Sequence, residues 1–147
     1  MLFNKKQKET LEERIERLSN EIQVLEATSI NMEETRDYLK NYIVTIDSDF
    51  ENETDLNKII EYIELYSKRD IYKQQNILNK LKEKDESQID KNLLKETEDK
   101  LNVDIEIYNE FLQIKKSVEE QELKNAQIKK KYDELEKCNK QAKKRGL

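Results

Sequence analysis

The sequence predicts an all-α protein: an elongated antiparallel coiled coil, or three-long-helix bundle, with a projecting C-terminal helix. Three observations support this fold class. Charged residues make up 41% of the chain and hydrophobic residues only 35%, which favours long helices with narrow apolar stripes. The 147 residues include one Gly and no Pro, so the tight turns of a β-sandwich or barrel lack suitable residues. Apolar residues also recur at helical spacing over long stretches.

The first predicted helix covers residues 8–46 and has a heptad repeat, with mostly Leu at d and Ile at a. Ser29 and Arg36 occupy a positions and weaken the repeat. Asn31 and Glu34 have the spacing of a capping box, so we expect a bend or restart near 29–31. The predicted helix-packing seam consists of Leu11, Ile15, Leu18, Ile22, Leu25, Leu39 and Ile43.

The charges beside this seam argue against a parallel homodimer of the first helix. In that arrangement Glu21 would face Glu26 of the second copy, twice by symmetry, and no attractive pair would compensate. We therefore expect the helix to pack against another part of its own chain or against a different partner.

The rest of the chain is predicted to continue one helical domain over residues 1–147. An acidic loop has Thr54 or Asp55 as the next N-cap, and a second loop ends in an N-cap at Asp90. Short loops predict that sequential helices are antiparallel neighbours. The expected elements are a loop over 47–55, a helix over 56–84 with a bend near 67–70, a loop over 85–90 and a helix over 91–143.

A small strand insertion is the alternative for two segments. Residues 42–46 are rich in β-branched side chains, and residues 101–107 alternate apolar and polar side chains. Helical stripes also run through both segments, so helix is the preferred interpretation.

Charge is unevenly distributed along the chain. The net charge is −5, yet residues 121–147 carry nine basic and four acidic side chains. This basic segment coincides with the part of the last helix that is predicted to project beyond its neighbours. Its Lys residues would complement the acidic residues of the first helix in a second copy. The candidate partner-binding residues are Lys124, Lys129, Lys130, Lys131, Lys143, Lys144 and Arg145.

The composition gives little support to an enzyme or a metal protein. The chain has no His, which is the commonest general base and a common metal ligand. Residues 47–58 resemble a calcium loop, but Lys58 occupies the position that requires a bidentate Glu. Glu61 and Glu64 lack the His of a di-metal bundle site. We therefore predict no catalytic residue, no metal site and no cofactor.

The predicted function is a non-enzymatic protein–protein interaction module that serves as an assembly, scaffold or adaptor unit. The expected partner is another protein, through self-association or a larger assembly, and no membrane span is predicted. Cys138 is the only cysteine, which favours a reducing, cytoplasmic compartment. The alternative is a small inhibitor or accessory factor, for example one encoded by a phage. It would bind nucleic acid or a nucleoprotein through the basic C-terminal end or by acidic phosphate mimicry.

Overall fold

The computed structural model describes residues 9–88 and 90–146, which form four α-helices and two short 3-10 helices. These are α1 (Leu11–Ala27), α2 (Met32–Val44), α3 (Leu56–Lys82) and α4 (Lys91–Lys144), with 3-10 helices at Ser48–Asn52 and Glu86–Gln88. The all-α prediction is confirmed. The strand alternative is wrong: residues 101–107 lie within α4, residues 42–44 end α2, and no strand occurs in the described part of the chain.

The chain divides into two compact units. Unit 1 comprises Met1–Ile30 and Val118–Leu147, and unit 2 comprises Asn31–Ser117. Helix α4 is continuous and contributes its first part to unit 2 and its last part to unit 1.

The predicted helix over 8–46 is interrupted after Ala27, where the Ser29 amide bonds to the Glu26 carbonyl oxygen and hydroxyl groups add hydrogen bonds to the last carbonyls of α1. The hydroxyl of Thr28 donates to the carbonyl oxygen of Val24, and the hydroxyl of Ser29 donates to that of Leu25. Asn31 then caps α2 by accepting a hydrogen bond from the Glu34 amide at 3.1 Å. The restart therefore falls where the sequence indicated it. The first residue of the predicted helix, residue 8, lies with residues 1–7 outside the described residues.

The other helix ends follow ordinary capping chemistry. Thr10 caps α1, and Asp55 caps α3 by accepting from the amide of Asn57. Asp90 accepts from the amides of Asn92 and Leu93 at the start of α4. Gly146 has a positive φ of 75° just after α4, a conformation that favours glycine at helix ends.

Three loop and helix predictions need correction in detail. The acidic loop over 47–55 contains the 3-10 helix Ser48–Asn52, because the Asp47 side chain caps it through the Asp49 amide. Helix α3 ends at Lys82 and continues unbroken through residues 67–70. Residues 85–90 include the 3-10 helix Glu86–Gln88, and Ile89 is not described.

Unit 2 packs α2 and α3 against the first part of α4. Helix α3 is antiparallel to α4, since Glu64 pairs with Lys115 and Lys82 pairs with Glu98. Helix α2 is antiparallel to α4 as well. Its Tyr42 shares a cavity with Asp104 and Ile107, whereas its Tyr38 shares one with Phe111 and Ile114.

Helices α2 and α3 therefore run in the same direction, which contradicts the expectation that sequential helices are antiparallel. The connection over residues 45–55 makes this possible, because it returns alongside α2 as the 3-10 helix Ser48–Asn52. Phe50 of this segment packs on Tyr62 of α3, with ring centroids 4.4 Å apart. The buried apolar residues of unit 2 are Leu39, Ile43, Ile59, Ile60, Ile63, Leu78, Leu81, Leu101 and Phe111.

Unit 1 is an antiparallel pair formed by α1 and residues 118–144 of α4. Arg14 pairs with Glu134, Glu21 pairs with Lys131, and the Lys124 ammonium donates to the carbonyl oxygen of Thr28. The expectation of a free, projecting C-terminal helix is therefore wrong for this segment, because its apolar stripe faces α1. The buried residues of unit 1 are Leu18, Ile22, Val118, Gln121 and Cys138.

Candidate protein-interaction surface

The predicted packing seam lies on the inner faces of α1 and α2. In unit 1, Leu18 and Ile22 are buried, while Leu11, Ile15 and Leu25 are partly buried. In unit 2, Leu39 and Ile43 are buried. These positions thus pack within their own units, and Leu25 also lines an open groove described below.

Polar contacts across the seam of unit 1 join the acidic α1 to the basic end of α4. The Lys131 ammonium donates to the Glu21 carboxylate at 2.7 Å, and this bond lowers the pKa of Glu21. On the other side of the pair, the Tyr132 hydroxyl donates to Glu26, which raises the pKa of Tyr132. Part of the charge complementarity between the first helix and residues 121–147 is therefore satisfied within one chain.

Gln121 is a polar residue in an otherwise apolar seam. Its side chain is 3% exposed, and its Oε1 accepts the Ile30 amide at 2.8 Å. Its Nε2 donates to Ser29 Oγ and to Asn125 Oδ1. Gln121 thus satisfies a backbone donor that the break after α1 would otherwise leave without a partner.

The candidate basic residues divide into two groups. Lys124 and Lys131 bind α1 of the same unit, as described above. The remaining five are exposed and form no ion pair with another described residue: Lys129, Lys130, Lys143, Lys144 and Arg145.

One side of unit 1 has an open groove that the sequence interpretation did not identify. The groove has a volume of about 360 Å³ and its exposed lining is mainly apolar. Val24 on its wall is 62% exposed although it is a large aliphatic residue. The groove is lined by Asn20, Glu21, Val24, Leu25, Gln127 and Lys131.

Leu123 extends this apolar surface along α4. It precedes Gln127 by four residues, so both side chains lie on the same side of the helix. Leu123 is 67% exposed, the largest value for an aliphatic residue among those described. We call Val24, Leu123, Gln127 and Asn20 the open face of unit 1. On the opposite side, the Tyr132 hydroxyl donates to Glu26, and Tyr132 stays 47% exposed.

Unit 2 has a small polar cavity of about 20 Å³ among Tyr42, Ser67, Asp70 and Asp104. Lys100 lies 3.5 Å from Asp104 and 3.9 Å from Asp70. Burial, together with the neighbouring Asp70, raises the pKa of Asp104. The volume suits one water molecule, so the cavity is a polar packing feature rather than a ligand site.

The acidic residues weighed as metal ligands have other partners. Asp47 caps a 3-10 helix and accepts from the Tyr62 hydroxyl, and Asp55 caps α3. Glu64 binds Lys115 at 2.5 Å and Lys68 at 3.0 Å, and these contacts lower its pKa. Within residues 9–88 and 90–146, no three His, Cys, Asp or Glu side chains come together as metal ligands.

Two residues of this surface could have been found from the sequence. Val24 and Leu123 are aliphatic side chains outside the heptad stripes of α1 and α4, and such positions are expected to face solvent. From the sequence, Gln121 is only a polar residue at a position where the helical spacing of α4 expects an apolar one. Its bonding partners depend on the break after α1, which brings Ser29 and Ile30 within reach.

No helix in the described part of the chain is both long enough and apolar enough to span a membrane. The comparisons with family models, curated proteins and solved structures give no match for this chain.

Proposed function

We propose that this chain is a non-enzymatic protein–protein interaction module that acts through helix–helix packing, as an assembly, scaffold or adaptor unit. The observation that supports this best is the open face of unit 1. There Val24 and Leu123 are about two-thirds exposed beside an apolar groove.

An exposed apolar patch with a polar rim is a typical protein-binding surface. The groove has Glu21 and Lys131 at its edge, and they form an ion pair across it. A helix or helical pair that covered Val24 and Leu123 would remove their aliphatic surface from water, at about 25 cal/mol per Å². The rim charges would then select the partner and its orientation.

We place this activity in the cytoplasm and assign it no cofactor. Cys138 is the only cysteine and is buried and reduced in unit 1, as expected for a protein of a reducing compartment.

Site-specific photo-crosslinking in cells tests the proposal. A photoreactive residue in place of Val24 should form discrete covalent adducts with protein, which mass spectrometry identifies. The matched control carries the same residue at Val103, a 52% exposed valine of unit 2. Absence of adducts at position 24, or the same adduct pattern at position 103, would contradict the proposal.

A second candidate function is binding of nucleic acid or a nucleoprotein by the basic end of α4. The observation that favours it is that Lys129, Lys130, Lys137 and Lys144 are exposed and have no described ion-pair partner. Binding through these residues should weaken steeply as salt rises, because counterions are released from phosphates. A binding isotherm at low and physiological salt tests this candidate, and absence of binding at low salt would contradict it.

A further inference from the structure

We propose that the partner of the open face is a second copy of this chain. The open faces of two unit 1 helix pairs stack, and α1 of each copy packs against α4 of the other. This inference rests on the proposed function and names its partner.

The first argument is that unit 1 cannot cover its own apolar residues. Two helices bury side chains only along the line where they meet, and each side of that line stays open unless something covers it. One side is crossed by the Tyr132–Glu26 hydrogen bond, which leaves Tyr132 47% exposed. The other exposes Val24, Leu123 and the groove between them. Stacking two such pairs produces a four-helix bundle, in which these residues become core.

The second argument is charge complementarity, which favours another copy over an unrelated helix. Residues 9–30 contain six acidic and two basic side chains, whereas residues 118–146 contain six acidic and nine basic ones. A second copy therefore presents a basic helix to α1 and an acidic helix to α4 at once.

Charge also selects between the two symmetric ways of stacking the open faces. A two-fold axis along the helices places α1 of one copy against α4 of the other over their full length. An axis across the helices places α1 against α1 and α4 against α4, which opposes segments of like net charge. Like charges across an interface disfavour binding, so the first arrangement is the one we propose.

The side chains at the rim of the open face fit this arrangement. Leu123, Lys130 and Lys137 recur every seven residues, so they form one row on α4. On α1, Glu13 precedes Asn20 by seven residues and lies on the same side. Since Arg14 pairs with Glu134, Glu13 is at the level of Lys137, and a second copy brings these opposite charges together. Exposed pairs contribute only about 0.2–1 kcal/mol each, so they orient the dimer, and the apolar contacts supply most of its stability.

Sedimentation velocity and multi-angle light scattering of the full chain over a wide concentration range test the proposal. The wild type should pass from monomer to dimer. Val24→Asp combined with Leu123→Asp should raise the dimer Kd at least tenfold, with helicity unchanged. Val103→Asp in unit 2 is the matched control and should leave the Kd unchanged.

A charge exchange tests the arrangement of helices. One variant carries Glu13→Lys and Glu16→Lys on α1, and the other carries Lys130→Glu and Lys137→Glu on α4. Each alone should self-associate more weakly than the wild type, because the substituted side chains of one copy then face side chains of like charge on the other. Their equimolar mixture should recover dimerisation as a heterodimer.

Three results would overturn the inference. The first is a wild type that stays monomeric at the highest concentration. The second is a dimer that Val24→Asp with Leu123→Asp leaves intact or that Val103→Asp weakens equally. The third is a pair of charge variants that each dimerise like the wild type. In any of these cases, adducts to another protein at position 24 would leave the proposed function intact, so the two failures can be distinguished.

Discussion

The two units of this chain are both built from packed α-helices, but they bury different numbers of apolar side chains. Unit 2 packs three helices and buries nine large apolar side chains, whereas unit 1 packs two helices and buries Leu18, Ile22, Val118 and Cys138. Unit 1 compensates with polar contacts across the seam, including Gln121 and the Lys131–Glu21 pair. The difference indicates that a third helix, rather than the composition of the seam, decides whether a unit can bury its apolar side chains on its own.

This comparison has a consequence for stability. Buried aliphatic area is the main source of folding free energy, while exposed ion pairs contribute little. We therefore expect unit 1 to open first and unit 2 to carry the global unfolding transition.

The largest expected effect is a cavity in unit 2. Ile63 is 1% exposed, so Ile63→Ala should lower the free energy of unfolding by about 2–5 kcal/mol. The matched change in unit 1 is Ile22→Ala, at a residue that is 4% exposed. Hydrogen exchange should show lost protection in all helices for Ile63→Ala, but mainly in α1 and the end of α4 for Ile22→Ala. Equal loss in α3 for both variants would contradict the comparison.

The next largest effect on stability concerns Gln121, the buried polar residue of unit 1. Gln121→Leu removes the acceptor of the Ile30 amide at a buried position, which should cost about 1–3 kcal/mol. The control is Gln113→Leu, at an exposed position of the same helix. Denaturant titration of both variants measures the difference. If Gln121→Leu were neutral, water would be an adequate partner for this backbone group.

The stability of the protein should depend on pH through Asp104, which lines the polar cavity of unit 2. The folded state raises the pKa of Asp104, so the proton binds more tightly in the folded chain. This contribution to stability is present below the unfolded pKa and is lost as pH rises through the folded pKa. Asp104→Asn should therefore stabilise the protein at neutral pH by about 0.5–1 kcal/mol, because it keeps a neutral group there.

Thermal unfolding at neutral and acidic pH checks this prediction for Asp104. The control is Asp99→Asn, at an exposed position. A loss of stability at neutral pH on Asp104→Asn would show that the Lys100–Asp104 pair outweighs the burial of the carboxylate.

The smallest expected effects come from matched ion pairs in the two units. Glu64 pairs with Lys115 in unit 2, and Glu21 pairs with Lys131 in unit 1. Glu64→Gln and Glu21→Gln should each lower the midpoint of thermal unfolding only slightly at neutral pH, since all four side chains are partly exposed. The pKa of both carboxyls is lowered, so the loss should disappear as pH falls through their folded pKa values. A clearly larger effect in unit 1 would mean that its ion pairs, rather than its seam, hold the two helices together.

Periodicity and capping residues made much of the helical content predictable. The heptad leucines, the caps at Asn31, Asp55 and Asp90, and the acidic interruption over 47–55 are local signals that act within a few residues. The division into two units could not be predicted in the same way. It depends on which segments α4 touches, and although the two apolar stripes over 101–118 indicate two neighbours, they do not identify them.

Two other features could not be predicted from the sequence: the direction of α3 and the contact of the basic segment with α1. A connection of this length permits either a hairpin or a return alongside α2, and the contacts of Phe50 and Asp47 with Tyr62 favour the return. Likewise, charge counts indicated that residues 121–147 complement α1, but they did not determine whether this occurs within one chain or between two. Glu21 and Lys131 meet within the chain, while Lys130 and Lys137 remain exposed.

Hydrogen exchange measured as a function of protein concentration tests the central claim most directly. If unit 1 is completed by a second copy, peptides from Leu11–Ala27 and from the last part of α4 should gain protection as the concentration rises. Peptides from Leu56–Lys82 should not change, because unit 2 already has a third helix. Protection of unit 1 that is independent of concentration, or that rises equally in both units, would contradict the claim.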